Sequence, residues 1–245
     1  MEYLIIGLSS VVAGVIQNIA GFGAGIILML ILPHFFNMLI SPAINAAICT
    51  GMTIILAVHY RKYTDYKRVW LPCVCFMAMS VSIIWVVSDI DLHLLGAAFG
   101  VFLIALSIYF IFFQKNIKVK PTAVSAVCFG LLAGALSGLF SIGATAMALY
   151  FLAISEDRNV YIGNLQTLLS INNVVSLLTR ALRGIYTADL ILPTAVGFAG
   201  ILLGQFFGSK IAGKLDAAKI NLFIYILVGV SGIETLIKQL SYLFL

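Results

Sequence analysis

Charge is what this sequence has least of. Only 9% of its 245 residues are Asp, Glu, Lys or Arg, while 62% are hydrophobic and the mean hydropathy is +1.14. Soluble domains average about 45–50% apolar and about 25% charged residues. A chain this short of polar side chains cannot cover a globule with them, which excludes a water-soluble domain and makes the bilayer its solvent. Acids are scarcer than bases, nine against fourteen. No pair of carboxylates lies inside an apolar run, and there is no Ser/His/Asp set, HExxH, Walker loop or GxGxxG ahead of a soluble helix. Neither an enzyme nor an ATP-driven pump is therefore expected. A cation channel would carry an acidic ring or a carbonyl filter, and neither is legible. Cys49, Cys73, Cys75 and Cys128 all fall in apolar runs without a CxxC, and so read as small buried hydrophobes. No metal and no other cofactor is expected. His34, His59 and His93 sit at the edges of apolar runs, as interfacial residues do. The net charge of +5 does not point to nucleic acid, because the basic residues lie between apolar runs, where the positive-inside rule accounts for them. The N-terminus has no basic n-region and no small-residue cleavage site, so residues 4–20 read as part of the mature protein.

Long apolar runs dominate what is present. Those at 43–60, 69–88, 92–113, 164–182, 188–209 and 218–238 each approach the roughly 20 residues a membrane helix needs. They are separated by the basic loop 61–68, an acidic loop at 88–91, the basic loop 115–120, and Lys210, Lys214, Asp216 and Lys219. Trp70 and Tyr186 mark interfaces. Residues 4–33 and 123–153 are different. As a single helix each would run ~45 Å against a hydrocarbon core of ~30 Å. Each carries glycine near its middle, Gly21-Phe22-Gly23-Ala24-Gly25 in the first and Gly138 and Gly143 in the second. Both read as helices interrupted inside the membrane.

The two interruptions match one another at a fixed offset of 120. Ala13-Gly14 aligns with Ala133-Gly134, Gly23-Ala24 with Gly143-Ala144, and Leu32 with Leu152, and Pro72 and Pro193 follow in similar places. The expectation is one membrane transport domain, 1–245, built as a duplication of about 1–116 and 120–245, a plan common in secondary transporters. The fold class expected is all-α: a polytopic helical membrane protein of six to eight spans whose interrupted or re-entrant helices meet mid-membrane. If each long segment crosses fully, ten Lys and Arg fall on one side and four on the other. If each folds back as a hairpin, the split is eleven to three and the halves are inverted. The second arrangement is the cleaner, and its basic side is then cytoplasmic.

A half-helix that begins in mid-membrane points its free N–H groups and positive dipole end at the gap, which suits an anion. Glycine permits the turn and a close approach. Half-helices beginning near Gly25 and Thr145 are expected to face each other from the two halves. Ser137 and a polar stripe on 164–182, in which Gln166, Ser170 and Asn173 share one helical face, lie nearby. The candidate substrate-binding residues are Gln17, Asn18, Gly21, Gly23, Gly25, Asn45, Gly138, Ser141, Gly143, Thr145, Gln166, Asn172 and Asn173. The glycines could instead serve helix packing and the amides interhelical hydrogen bonds. Arg180 and Arg183 read as interfacial anchors or as a positive funnel. Glu234 reads as an i,i+4 partner of Lys238 or as a coupling carboxylate.

Gly14-Val15-Ile16-Gln17 leading into Gly21-Phe22-Gly23-Ala24-Gly25, with Pro33 downstream, resembles the TauE/SafE family of sulfite exporters and organosulfur anion permeases. So do the second copy from Gly134 to Gly143, the stretch Gly197 to Gly204 through Gly208, the segment Lys210-Ile211-Ala212-Gly213-Lys214, and Ser231-Gly232. The likeness covers nearly the whole chain. It departs at Ile142-Gly143-Ala144-Thr145, where the family carries a denser glycine cluster and a proline. The resemblance implies a secondary transporter, an exporter, of sulfite, an organosulfonate or another small anion in the cell membrane. The residues alone lead to a small anion only. A non-transporting membrane scaffold and a passive anion channel are the alternatives, and a homo-oligomer is left open.

Overall fold

The computed structural model describes residues 2–112, 120–211 and 217–243. The basic loop expected at 115–120, save Lys120, and the linker residues Lys214 and Asp216 lie outside the described residues. Among the described residues there are ten α-helices and no strand: α1 (Glu2–Ala20), α2 (Ala24–Ile31), α3 (Ser41–Tyr60), α4 (Tyr66–Val87), α5 (Leu92–Phe112), α6 (Ala123–Phe140), α7 (Ala144–Ile154), α8 (Arg158–Leu182), α9 (Ile191–Ile211) and α10 (Ala217–Leu243). Their starts follow local chemistry. Asp65 accepts the backbone N–H groups of Lys67 and Arg68 at the start of α4, and Asp157 those of Asn159 and Val160 at the start of α8. Thr122 and Ser125 form a capping box on α6. Ahead of α5, the N–H groups of Leu94 and His93 bond to the Asp91 carboxylate and hold its pKa below the usual value.

Among the described residues, six helices are long and apolar enough to cross a membrane: α1, α3, α4, α5, α6 and α9. The chain is thus a multi-pass helical membrane protein. Apolar side chains such as Leu182, Phe112 and Val124 stand exposed on its outer surface, as lipid contact requires. α8 runs 25 residues but is too polar to read as a span by hydropathy, because it carries Asn164, Gln166, Asn172, Asn173 and Arg180, all buried within the bundle.

Helix contacts come in exchanged pairs. α1 packs on α9, as α6 packs on α4. α3 crosses α8, and α5 crosses α10. Swapping the first five helices for the second five leaves this list unchanged. Small residues make the contacts close. A methyl group on Gly14 would overlap the Ile201 carbonyl oxygen on α9, and one on Gly134 would come within 2.6 Å of the Phe76 carbonyl oxygen on α4.

The two broken segments are hairpins that enter from opposite ends. α7 turns back along α6, with the Tyr150 ring 5.7 Å from that of Phe129, tilted to it, and Gly143 against Ala133. Its last carbonyl, Ile154 O, accepts Arg68 Nη1 at 3.1 Å, beside the loop 61–65. α1 runs parallel to α9, and α2 leads back to Pro33–Asn37, which lie beside Leu92, His93 and Glu234. The ends of the bundle are therefore distinct. One gathers 61–65, 120–122 and 154–158 and is rich in Lys and Arg. The other gathers 33–40, 88–91 and 183–190. Arg183 ties this second end together by donating to Trp85 O and Ser88 Oγ.

The hairpins are lopsided. Their first arms, α1 and α6, have 19 and 18 residues, while the return arms α2 and α7 have only 8 and 11. An even mid-helix interruption is therefore not what forms.

Candidate functional site

The two breaks meet. Gly25, at the start of α2, lies so close to the second break that a methyl group on it would be 3.2 Å from Ser141 O. Asn45 of α3 fastens them: its Nδ2 donates to Gly25 O at 3.1 Å and to Ser141 O at 3.2 Å. Behind this bridge is a chamber of about 30 Å³. Its lining includes Gln17, Gly23, Gly25, Cys49, Thr53, Ser137, Ser141, Gly143, Thr145 and Asn173. That volume holds a water or two, since one water needs roughly 10–15 Å³ on this measure.

Backbone geometry explains the turns. Gly21 has φ 80 and Gly23 φ 109, both in the left-handed region that glycine enters freely. In the second break Ser141 takes φ 58, the one positive value at a non-glycine among the described residues. The offset of 120 relates Gly21 to Ser141, so the same left-handed residue ends α1's extension and α6. Gly143 differs from its counterpart Gly23, with φ −62.

The helix ends are treated differently. The first N–H of α2, on Ala24, donates to Gln17 Oε1 at 3.1 Å, so a side chain from α1 caps it. α7 has no side-chain cap, and Thr145 Oγ1 in its first turn is buried without a hydrogen-bond partner. Partnerless buried hydroxyls are costly, and this one faces the chamber. Across the chamber Asn173 Nδ2 donates to Thr53 Oγ1 at 3.4 Å; these two residues are also 120 apart, at the crossing of α3 and α8.

A larger cavity, about 580 Å³, opens at the basic end. Gln17, Asn18, Gly21, His59, Arg158, Gln166 and Gln205 are among its lining. Gln17 borders both cavities. Its Nε2 donates to Gly21 O at 3.4 Å, and Gln166 Nε2 donates to the same oxygen at 3.0 Å. This amide bridge is the floor of the vestibule and the roof of the chamber.

Of the residues singled out in sequence, Gln17, Gly23, Gly25, Ser141, Gly143, Thr145 and Asn173 line the chamber, and Gln17, Asn18, Gly21 and Gln166 line the vestibule. Asn45 braces the breaks. Asn172 donates to Ser137 Oγ at 2.9 Å, with its Oδ1 unpartnered. Gly138 lies outside both cavities and packs on α4, where a methyl group would come within 2.9 Å of Ser80 O. Gly143 also serves packing, since a methyl group there would overlap the Ala133 carbonyl oxygen. Ser170 turns to its own helix and bonds Thr167 O. Glu234 lies on the surface, 3.8 Å from His34.

Sequence reading missed Cys49, Met52, Phe76 and Leu169 in the chamber, and Arg158 and His59 in the vestibule. It also misjudged Arg180, which is fully buried. Arg180 Nη2 donates to Gly138 O at 2.7 Å and Ser137 O at 3.3 Å, while Nη1 has no partner. The seven-residue spacing from Asn173, the last residue of the polar stripe, to Arg180 would have placed it on α8's inner face.

The comparisons with known proteins agree with this architecture. The family model described as Sulfite exporter TauE/SafE matches residues 6–235. A relative described as a probable membrane transporter protein, from Methanocaldococcus jannaschii, is 26% identical over 250 aligned positions that cover 92% of each chain. No solved structure matches the chain. A glycine-broken helical bundle matched over almost its full length by one family model has a clear place: the chain belongs to the sulfite exporter TauE/SafE family of membrane transporters.

Proposed function

We propose that this transporter is a secondary carrier of a small anion, and that the anion binds in the chamber between the two breaks. The observation that carries the reading is Thr145. Its hydroxyl is buried, unpartnered and set in the first turn of α7, where the helix dipole favours negative charge. α2 directs its own N-terminus to the same chamber. A cation entering there would meet two positive helix ends. Gln17, Ser141 and Asn173 are the further side chains within reach of a guest, and Asn45 and Asn172 hold the breaks from behind.

The halves work as an inverted pair. The exchange symmetry of the helix contacts supports a duplication of about 1–116 and 120–245, with one hairpin entering from each end. Such a pair can rock between two mirror-related states. In the present state the vestibule reaches down to the Gln17–Gly21–Gln166 bridge, and the opposite end is closed. The basic end is cytoplasmic by the positive-inside rule, in the cell membrane. A carrier loaded from that side is an exporter. Membership of the family supports sulfite or an organosulfonate as the substrate class. The 30 Å³ chamber must widen to take either, and does so as the hairpins part.

Flux of labelled sulfite and sulfoacetate through reconstituted vesicles tests this. Saturable flux that depends on the protein is expected. Linear, unsaturable flux would instead indicate a passive channel, and no anion flux at all would leave a scaffold.

A further inference from the structure

The proposed central site leaves open how an anion passes the closed end, and α8 carries the answer along one face. Arg158, Ile162, Gln166, Leu169, Asn173, Ser176 and Arg180 are spaced by three or four residues, so they form one stripe. The first three line the vestibule, and the next two line the chamber. Ser176 and Arg180 continue the stripe beyond it, and Arg180 lies ~10 Å further along the helix than Asn173.

The arginines at the two ends of the stripe do the same job on opposite hairpins. Arg158 Nη2 donates to Ile19 O, at the C-terminal end of α1, at 3.4 Å. Arg180 Nη2 donates to Gly138 O and Ser137 O, at the C-terminal end of α6. Each guanidinium thus faces the negative end of a hairpin's first arm. The difference is access. Arg158 is exposed in the open vestibule, while Arg180 is 0% exposed. No carboxylate pairs with Arg180 among the described residues, and Nη1 is left without a partner. Its Nε donates to Ser176 Oγ at 3.4 Å, so carbonyls and one hydroxyl are all that hold it. A buried cation without a carboxylate is costly to keep; an anion beside it would offset that cost.

We propose that Arg180 is an anion station on the closed half of the path. It locks that half by gripping the end of α6. When the half opens, it exchanges those carbonyls for the passing oxyanion, as Arg158 is placed to do on the open side. The inference rests on the central anion site.

The test replaces the four native cysteines by alanine and introduces Ser176→Cys in reconstituted vesicles. The thiol is treated with an anionic and a cationic methanethiosulfonate of similar size, from each face. Cys reactivity at 176 is expected from the face opposite the basic loops, with the anionic reagent favoured at least tenfold over its ratio on a free thiol. Arg180→Gln should abolish that preference, and Arg180→Lys should keep it. Arg61→Gln, on the exposed basic end away from the closed half, should leave it unchanged. Equal rates for the two reagents in the Arg180 protein, or no reaction from either face, would overturn the proposal, whether or not Arg180→Gln folds. Labelled sulfite and sulfoacetate flux in unaltered vesicles separates the two readings. Flux with charge-blind labelling at 176 removes the role of Arg180 alone, whereas absence of all anion flux removes the central site.

Discussion

The two breaks share a left-handed residue at equivalent positions and then part company. The first, around Gly21 and Gly23, is closed by its own side chain: Gln17 caps α2 and, with Gln166, bridges to Gly21 O. It stands between the vestibule and the chamber. The second, at Ser141, leaves α7 uncapped and Thr145 unpartnered. On the proposed function, one scaffold is used twice, and its side chains assign one copy to gating and the other to holding the guest. The difference is chemical rather than topological, since the helix pairings of the two halves exchange cleanly.

The sharpest way to break this comparison is to fill its glycines. Gly143→Leu should cost the folded protein altogether, because the new side chain would drive into the Ala133 backbone oxygen, which cannot move aside. Gly23→Ala should fold, because the nearest atom to the added methyl is 3.5 Å away, but with a penalty of about 1–3 kcal/mol for the left-handed backbone. Thermal unfolding in detergent distinguishes the two. Equal stability losses would mean that the breaks are interchangeable.

Next in size, Thr145→Val keeps the shape of the second break and removes its hydroxyl. A hydrogen bond to a charged group contributes about 1.5–3 kcal/mol, so anion binding should weaken about 10- to 100-fold, while the anion-free protein should gain about 1–3 kcal/mol of stability as an unpartnered buried hydroxyl is removed. Unchanged affinity would take the hydroxyl out of the site. Gln17→Ala acts on the first break. It should weaken anion binding less than Thr145→Val does and speed labelling of Cys49 from the basic end several-fold, because the amide bridge is lost. The smallest effect is expected from Ser141→Gly. Left-handed backbone costs a non-glycine residue about 1–2 kcal/mol, and glycine returns roughly 0.5–1 of that as chain entropy. A stabilisation below about 1 kcal/mol should result, seen as a slightly raised unfolding temperature.

Both breaks were legible in the sequence to within a residue or so. Half-helices expected near Gly25 and Thr145 begin at Ala24 and Ala144, because glycine inside an overlong apolar run leaves few other readings. Less legible was what each glycine touches. Gly138 packs on Ser80 and lies outside both cavities, and Gly143, though it lines the chamber, also packs against Phe76 and Ala133; such packing between helices is not displayed by one sequence. Arg180 was hidden for a related reason. Near the end of an apolar run an arginine reads as an anchor, and only the fold shows α6 ending against it. The apolar run predicts a start near 164, because the residues before it are polar, but Asp157 caps α8 and the helix begins at Arg158. A helix lined by its own bundle does not need lipid-facing hydropathy along its whole length.

Cys49 offers the most direct test of the central claim, because its thiol already lines the chamber. With Cys73, Cys75 and Cys128 replaced, the rate at which a small aqueous thiol reagent modifies Cys49 can be followed as sulfoacetate is added. The account predicts measurable modification that slows and saturates with sulfoacetate and is indifferent to a cation such as choline. A thiol that never reacts, or one whose rate ignores the anion, would contradict it.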